Sequence, residues 1–174
     1  MYLGENQQKA LEEFFRHPTR KFQIRELSRE TGLSLPTIKD YLAEFMEKGL
    51  VEKVEEGVYP GYRASMNDSF RLYKKLWTVE KLHETGLVEK LEKELHPDSV
   101  VLFGSAARGE DIEKSDIDIL VVSESRDINI KKFEDKFNRE INLQFMVVEE
   151  LKKNRELANN IANGIVLSGY LVVK

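Results

Sequence analysis

Val100-Val101-Leu102-Phe103-Gly104-Ser105-Ala106-Ala107-Arg108-Gly109, followed by Lys114-Ser115-Asp116-Ile117-Asp118-Ile119-Leu120-Val121, is the stretch that decides how the second half of this chain folds. An apolar run enters a Gly-Ser turn, and a second apolar strand carries two aspartates separated by one residue. Side chains alternate across a strand, so Asp116 and Asp118 are expected on one face while Ile117, Ile119 and Val121 point into a core. Two carboxylates at that spacing can ligate divalent cations, Mg2+ or Mn2+. A Gly-Ser turn, with exposed backbone N–H groups and a hydroxyl, can hold the phosphates that those cations bridge. The competing reading is a solvent-facing strand edge that happens to carry two aspartates. It leaves the Gly-Ser and Arg-Gly positions without a role.

Taken in order, Gly104, Ser105, Arg108, Gly109, Ser115, Asp116 and Asp118 resemble the signature of the DNA polymerase β-like nucleotidyltransferases, particularly the minimal domains of archaea and bacteria. The resemblance implies that Asp116 and Asp118 are the catalytic and metal-binding pair. It implies that Gly104, Ser105, Arg108 and Ser115 bind the nucleotide, a nucleoside triphosphate taken as substrate or as effector. The family usually places a third carboxylate on a neighbouring strand. The candidate strand here is Ile141-Asn142-Leu143-Gln144-Phe145-Met146-Val147-Val148. Ile141, Leu143, Phe145 and Val147 form its apolar face, so Asn142, Gln144 and Met146 face the expected site, with Asn142 at the aspartate position. An amide oxygen can ligate a metal, but it carries no charge and cannot take a proton from an attacking hydroxyl. Glu140 shares the parity of Asn142 and could substitute from one pleat away, or be a solvated residue before the strand.

At 174 residues the chain has room for one good core or two small ones. A charged fraction of 33%, rich in Glu and Lys, describes a globular surface of a kind that suits a thermophile. The absence of cysteine excludes disulfides, thiolate catalysis and Cys-ligated zinc, and fits a reducing cytoplasm. Met1 to Asn6 lacks the basic and apolar blocks of a signal peptide, and no apolar run reaches the length of a bilayer. A cytoplasmic protein with no membrane partner is expected. Residues 1–75 hold 13 Lys+Arg against 12 Asp+Glu, a net of +1, and the remainder holds 14 against 19, a net of −5. The first half therefore cannot bind nucleic acid by bulk charge and needs a shaped, local surface.

Residues 6 to 66 read as three helices and a hairpin. Ala10, Leu11, Phe14 and Phe15 repeat at helical spacing up to His17-Pro18. A second helix from about Gln23 to Glu30 turns Ile24 and Leu27 inward and stops at Gly32. The third has Ser34 as N-cap and Pro36 in its first turn, buries Ile38, Tyr41 or Leu42, and Phe45, and ends at Gly49. Short strands flank the turn Glu55-Glu56-Gly57. Ile24 to Ser34, running on to Gly49-Leu50-Val51, resembles a winged helix-turn-helix of bacterial and archaeal transcription regulators. That resemblance implies double-stranded DNA as partner. Ser34, Thr37 and Lys39, near the start of the third helix, could meet DNA, and Arg25, Lys53 and Arg63 could meet phosphates. Asp40, Glu55 and Glu56 run against it, and a protein–protein module is the alternative.

Asn67-Asp68-Ser69 offers caps for a linker helix with a wide apolar stripe: Phe70, Leu72, Tyr73, Leu76, Trp77, Val79 and Leu82. Lys74, Lys75, Glu80 and Lys81 are expected opposite or beside it. A second linker helix runs from Leu87 to Leu95. The aromatic residues Phe70, Tyr73 and Trp77 could stack on a base or cofactor, or form core or a subunit contact; a homodimer seam is the expectation. Ile130, Phe133 and Phe137 mark a helix before the Asn142 strand. Leu157 and Ile161 mark another, and Ile165-Val166-Leu167 with Tyr170 to Val173 supplies the last extended segment. The three histidines, His17, His83 and His96, fall at helix ends and breaks, as surface or capping residues.

The expected fold class is α+β. A winged helix-turn-helix occupies 1–66, a helical linker 67–97, and a minimal nucleotidyltransferase domain with a small mixed sheet and helices on one face occupies 98–174. The order resembles a group of archaeal proteins described as transcriptional regulators with a nucleotidyltransferase domain. A DNA-binding regulator whose second domain binds magnesium–nucleotide as an effector is one functional expectation. The others are an active nucleotidyltransferase acting on a protein, nucleic acid or small acceptor, and a toxin–antitoxin-like assembly module.

Overall fold

The computed structural model describes residues 4–55, 59–153, 161 and 163–171. The chain divides into two compact units between Lys74 and Lys75.

In the first unit, α1 (Glu5–Arg16) buries Ala10, Leu11, Phe14 and Phe15 on one stripe. The second helix, α2 (Ile24–Thr31), is halted by Gly32 at φ 70°, a left-handed conformation that costs glycine nothing. A third, α3 (Leu35–Glu47), starts at Ser34, whose hydroxyl accepts the Thr37 N–H, with Pro36 in its first turn. Ile38, Leu42 and Phe45 are its buried residues. Tyr41 is half-buried, its ring centroid 6.3 Å from that of Phe45. Strands β1 (Val51–Val54) and β2 (Gly61–Ala64) pair antiparallel as the hairpin. The turn residues Glu56, Gly57 and Val58 lie outside the described residues. Phe22, between α1 and α2, exchanges two 2.8 Å backbone hydrogen bonds with Tyr62 of β2. Its ring is fully buried, 5.2 Å from Phe14. One bridge and one aromatic ring thus tie the hairpin to the helices.

Helix α4 (Asp68–Glu84) is capped by Asn67, whose Oδ1 accepts the Phe70 N–H at 2.9 Å. Its expected stripe is divided. Phe70, Lys74, Trp77, Thr78 and Leu82 are buried, while Leu72 and Leu76 are 47% and 55% exposed. Lys74 was expected beside the stripe, but it stands one turn from Phe70 and from Thr78 and so belongs to the buried face.

The second unit continues with α5 (Leu87–Leu95), β3 (Ser99–Phe103), α6 (Gly104–Arg108) and β4 (Ile117–Val122). It ends with α7 (Lys131–Phe137), β5 (Ile141–Met146), α8 (Val148–Lys153) and β6 (Ile165–Gly169). The sheet order is β5-β4-β3-β6. The middle strand β3 runs antiparallel to both β4 and β6, and β4 runs parallel to β5. On one face Ile117, Ile119, Val121, Val100, Leu102 and Ile141 pack with Leu87, Val88, Leu91 and Leu95 of α5 and Phe133 and Phe137 of α7. The opposite face is not bare, against the expectation of helices on one face only. Val101, Phe103, Leu120 and Val122 form a second, smaller core with Ile161. The reason is in β3 and β4 themselves, whose stretches 100–103 and 119–122 are continuously apolar, and such runs need cover on both sides. Leu157, Val172 and Val173 lie outside the described residues. No helix among the described residues is long and apolar enough to cross a membrane.

Candidate functional site

The site forms where β3 ends and β4 begins. Phe103 pairs with Asp118 across the antiparallel ladder, and Asp118 pairs with Asn142 across the parallel one. Asp118 is thus the middle residue of a three-strand row. The Gly-Ser turn after Phe103 is the start of the five-residue helix α6, which buries Ala106 and Ala107 and ends at Gly109 in the left-handed region. Gly104 has φ 71°, and a Cβ placed on it would stand 2.5 Å from Asp118 Oδ2. Glycine is required here twice, for its dihedral and for the approach of the carboxylate. Next to it, Ser105 is half-buried at the helix start.

From the third strand, Asn142 Nδ2 donates to Asp118 Oδ1 at 3.0 Å. The parity is as read from sequence. Ile141, Leu143 and Phe145 join the larger core, and Met146, two pleats beyond Asn142, joins the smaller one on the face of Asp118. Glu140 is exposed and lines a surface cleft with Lys131, Glu134, Asp135, Asn138 and Arg139, while its backbone oxygen accepts the Ile117 N–H at 3.0 Å.

Asp116 stands one residue before β4, exposed, in the loop that leaves α6. A tight turn forms that loop: Ser115 Oγ accepts the Ile112 N–H at 3.0 Å, and Ser115 N–H donates back to the Ile112 carbonyl at 3.0 Å. Arg139 holds the loop from outside. Its Nε donates to the Ser115 carbonyl at 2.7 Å, its Nη2 to the Asp116 carbonyl at 3.2 Å, and its Nη1 to Asp111 Oδ2 at 2.5 Å. Asp111 is fully buried and the Arg139 side chain is 9% exposed. Arg108, at the far end of α6, is exposed and its Nε pairs with Glu110 at 2.8 Å. Direct contacts therefore join Gly104, Asp118 and Asn142. Ser115 and Asp116 are held through Arg139, and the Arg108 pair lies within its own turn. Asp111 and Arg139 carried no signal in the sequence pattern, because their pairing spans 28 residues and two loops.

Two carboxylates and an amide oxygen are hard donors that suit Mg2+ or Mn2+. No group of three or more His, Asp or Glu side chains placed to hold a metal occurs among the described residues. Magnesium, however, is commonly held by one or two carboxylates plus the phosphates it bridges. The donor set fits a metal that arrives with a nucleotide.

In the first unit, Ser34 caps α3 and shares a 2.7 Å hydrogen bond between its hydroxyl and that of Thr37. Lys39 and Arg25 are exposed on α3 and α2. On the hairpin, Lys53 pairs with Glu55 at 2.9 Å and Arg63 with Glu52 at 2.7 Å. The Glu55 carboxylate pushes the Lys53 ammonium up from its ordinary pKa, and Lys53 pushes Glu55 down.

The family described as Polymerase beta, Nucleotidyltransferase matches residues 86–170, from just before α5 through β6. The family described as Winged helix-turn-helix DNA-binding matches residues 23–52, the α2–α3 pair and the first residues of the hairpin. No curated protein and no solved structure matches the chain significantly. The chain joins an N-terminal winged helix-turn-helix to a C-terminal nucleotidyltransferase domain of the polymerase β family.

Proposed function

We propose that this is a cytoplasmic, DNA-binding transcriptional regulator whose nucleotidyltransferase-type domain binds a divalent cation with a nucleoside triphosphate as an effector. The observation that carries the reading is the 3.0 Å hydrogen bond from Asn142 Nδ2 to Asp118 Oδ1. Asn142 stands in register beside Asp118, where a third carboxylate would have to serve as metal ligand and proton acceptor. A neutral amide fills that position with a donor. The two remaining carboxylates and the Gly104 approach suit binding, but with Asp118 committed to the cation the row holds no further carboxylate to deprotonate a hydroxyl nucleophile. A bound cation would offset the charge of Asp116, Asp118 and the phosphates together. Ser105 and Gly104 would face the phosphates, with Arg108 exchanging Glu110 for them.

For DNA, support comes from the family match over α2 and α3 and from exposed Ser34 and Lys39 in the first turns of α3, the end that meets base edges in helix-turn-helix proteins, with exposed Arg25 on α2. We also propose a homodimer reading paired half-sites, with exposed Leu72 and Leu76, one turn apart on α4, as its contact.

Calorimetric titration with each of the four ribonucleoside triphosphates in Mg2+, beside a labelled-nucleotide transfer assay, tests the reading. Metal-dependent binding without transfer is expected. A variant carrying Asp116→Ala and Asp118→Ala should lose the binding and keep its fold. Robust transfer by the wild type would make the protein an enzyme, and absence of binding at millimolar nucleotide would leave the site without a ligand.

A further inference from the structure

The loop that carries Asp116 leads from the end of α6 into β4. Between Gly109 and Ile117 it holds the Ser115–Ile112 turn, and Asp116 itself lies outside the strand. Its backbone is fixed by a side chain from the opposite parallel strand's approach, Arg139. We propose that Arg139, locked by Asp111, is the positioning residue of the metal–nucleotide site, setting Asp116 relative to Asp118. This rests on the effector reading of that site.

Three of the guanidinium's nitrogens are used in three directions. One bond anchors the group to a fully buried carboxylate, and two hold the consecutive carbonyls of Ser115 and Asp116. Arg139 is itself fixed. It follows Asn138, which takes a left-handed φ of 52°, and its own N–H donates to the Glu134 carbonyl at 3.2 Å. The next residue, Glu140, receives the Ile117 N–H, which starts the β4–β5 ladder whose following rung is Asp118 with Asn142. One short turn therefore registers both aspartates and the asparagine. A planar fork is needed for this, and a lysine ammonium, a point charge on a flexible stem, cannot hold the same three acceptors.

A purely structural ion pair and a positioning device respond differently to one substitution set. Replacing both buried partners with apolar side chains of similar volume, Asp111→Leu with Arg139→Met, commonly leaves stability near that of the parent. The two carbonyls it frees belong to a half-buried and an exposed residue, where water can reach them. Full-length double variant and Arg139→Lys should be compared with wild type in three measurements: melting temperature, hydrogen exchange of the Ser115 and Ile117 amides, and titration with each of the four magnesium–nucleoside triphosphates. Supporting results are a melting temperature of the double variant near wild type, exchange at Ser115 and Ile117 at least tenfold faster with Leu120 unchanged, and nucleotide affinity at least tenfold weaker in both variants. Wild-type affinity and exchange in a folded double variant would overturn the positioning role alone. A wild type that binds none of the four nucleotides would overturn the reading of the site, and this inference with it.

Discussion

Arg63 in the hairpin and Arg139 beside the nucleotidyltransferase motif are both arginines paired with a carboxylate across two segments of chain. They differ in their surroundings. The Arg63 and Glu52 side chains are 41% and 46% exposed, whereas Arg139 is 9% exposed and its partner Asp111 fully buried. An exposed pair exchanges readily with water, salt or a phosphate, and is worth about 0–1 kcal/mol. A buried pair cannot exchange, because removing one partner strands the other's charge away from water. The hairpin cations are thus available to a polyanion at small cost, while Arg139 is committed to holding a loop in place.

The sharpest break in that comparison is removal of one carboxylate from each pair. Asp111→Ala should lower the unfolding free energy by about 3–5 kcal/mol. Glu52→Ala should change it by no more than about 1 kcal/mol. Denaturant unfolding of the full chain measures both. Equal losses would mean that the Asp111–Arg139 pair is solvated in practice and that burial does not separate the two regions.

The same contrast explains what the sequence could disclose. The Gly104–Asp118 motif was legible because its residues lie within one turn and two adjacent strands, where spacing fixes geometry. For Asn142, strand parity gives only the face, shared with Gln144 and Met146; the resemblance to the family's third-carboxylate position singles it out, and the ladder register sets it beside Asp118. The caps at Ser34 and Asn67 and the stop at Gly32 were legible because capping is local chemistry. Arg139 and Asp111 were not, since an ion pair between loops 28 residues apart leaves no period to read. Phe22 escaped for a similar reason, being a lone strand residue whose partner, Tyr62, is 40 positions away. The second face of the sheet was missed because an unbroken apolar run shows that a strand is buried without showing what covers it. Lys74 shows charge to be a poorer guide than helical angle, since it shares its buried face with Phe70 and Thr78.

Asn142→Asp sharpens the comparison from the site's side by adding a third carboxylate where only a cation can relieve it. Without metal the variant should melt lower than wild type, because the Asn142–Asp118 hydrogen bond is replaced by repulsion. Mg2+ should restore the loss. The substitution also supplies a proton acceptor, and general base catalysis typically contributes about 10²–10⁴-fold, so labelled-nucleotide transfer should rise from undetectable or slow to measurable. Transfer that stays absent while Mg2+ rescues stability would keep the site as a binding pocket whatever its third residue.

On the first unit the corresponding change is Lys39→Glu, which sets a negative charge at an exposed position of α3 beside the capped turn at Ser34 and Thr37. Affinity for a selected DNA fragment at low salt should fall about tenfold, and the slope of log affinity against log salt should flatten by about one. Fluorescence anisotropy across a salt series reads both. An unchanged slope would move the DNA-facing surface away from α3.

The smallest effect belongs to the hairpin, and it tests most directly whether an exposed pair is exchangeable. Glu55 holds Lys53 through a 2.9 Å hydrogen bond, and the Lys53 charge keeps the carboxyl below its ordinary pKa. A carboxylate depressed in this way favours the folded pair above its unfolded pKa and loses that contribution as pH falls through the lowered value. Acidification therefore protonates Glu55 below its ordinary pKa and only then frees Lys53 for a phosphate. Glu55→Gln frees it at every pH. At neutral pH this variant should bind DNA about twofold more tightly than wild type, a gain sized to an exposed pair. The gain should shrink as pH falls through the Glu55 titration, where the wild type loses the same carboxylate. Anisotropy titrations at neutral and acid pH measure it. A variant that binds more weakly than wild type would show that Glu55 orients Lys53 for its contact instead of competing with the phosphate.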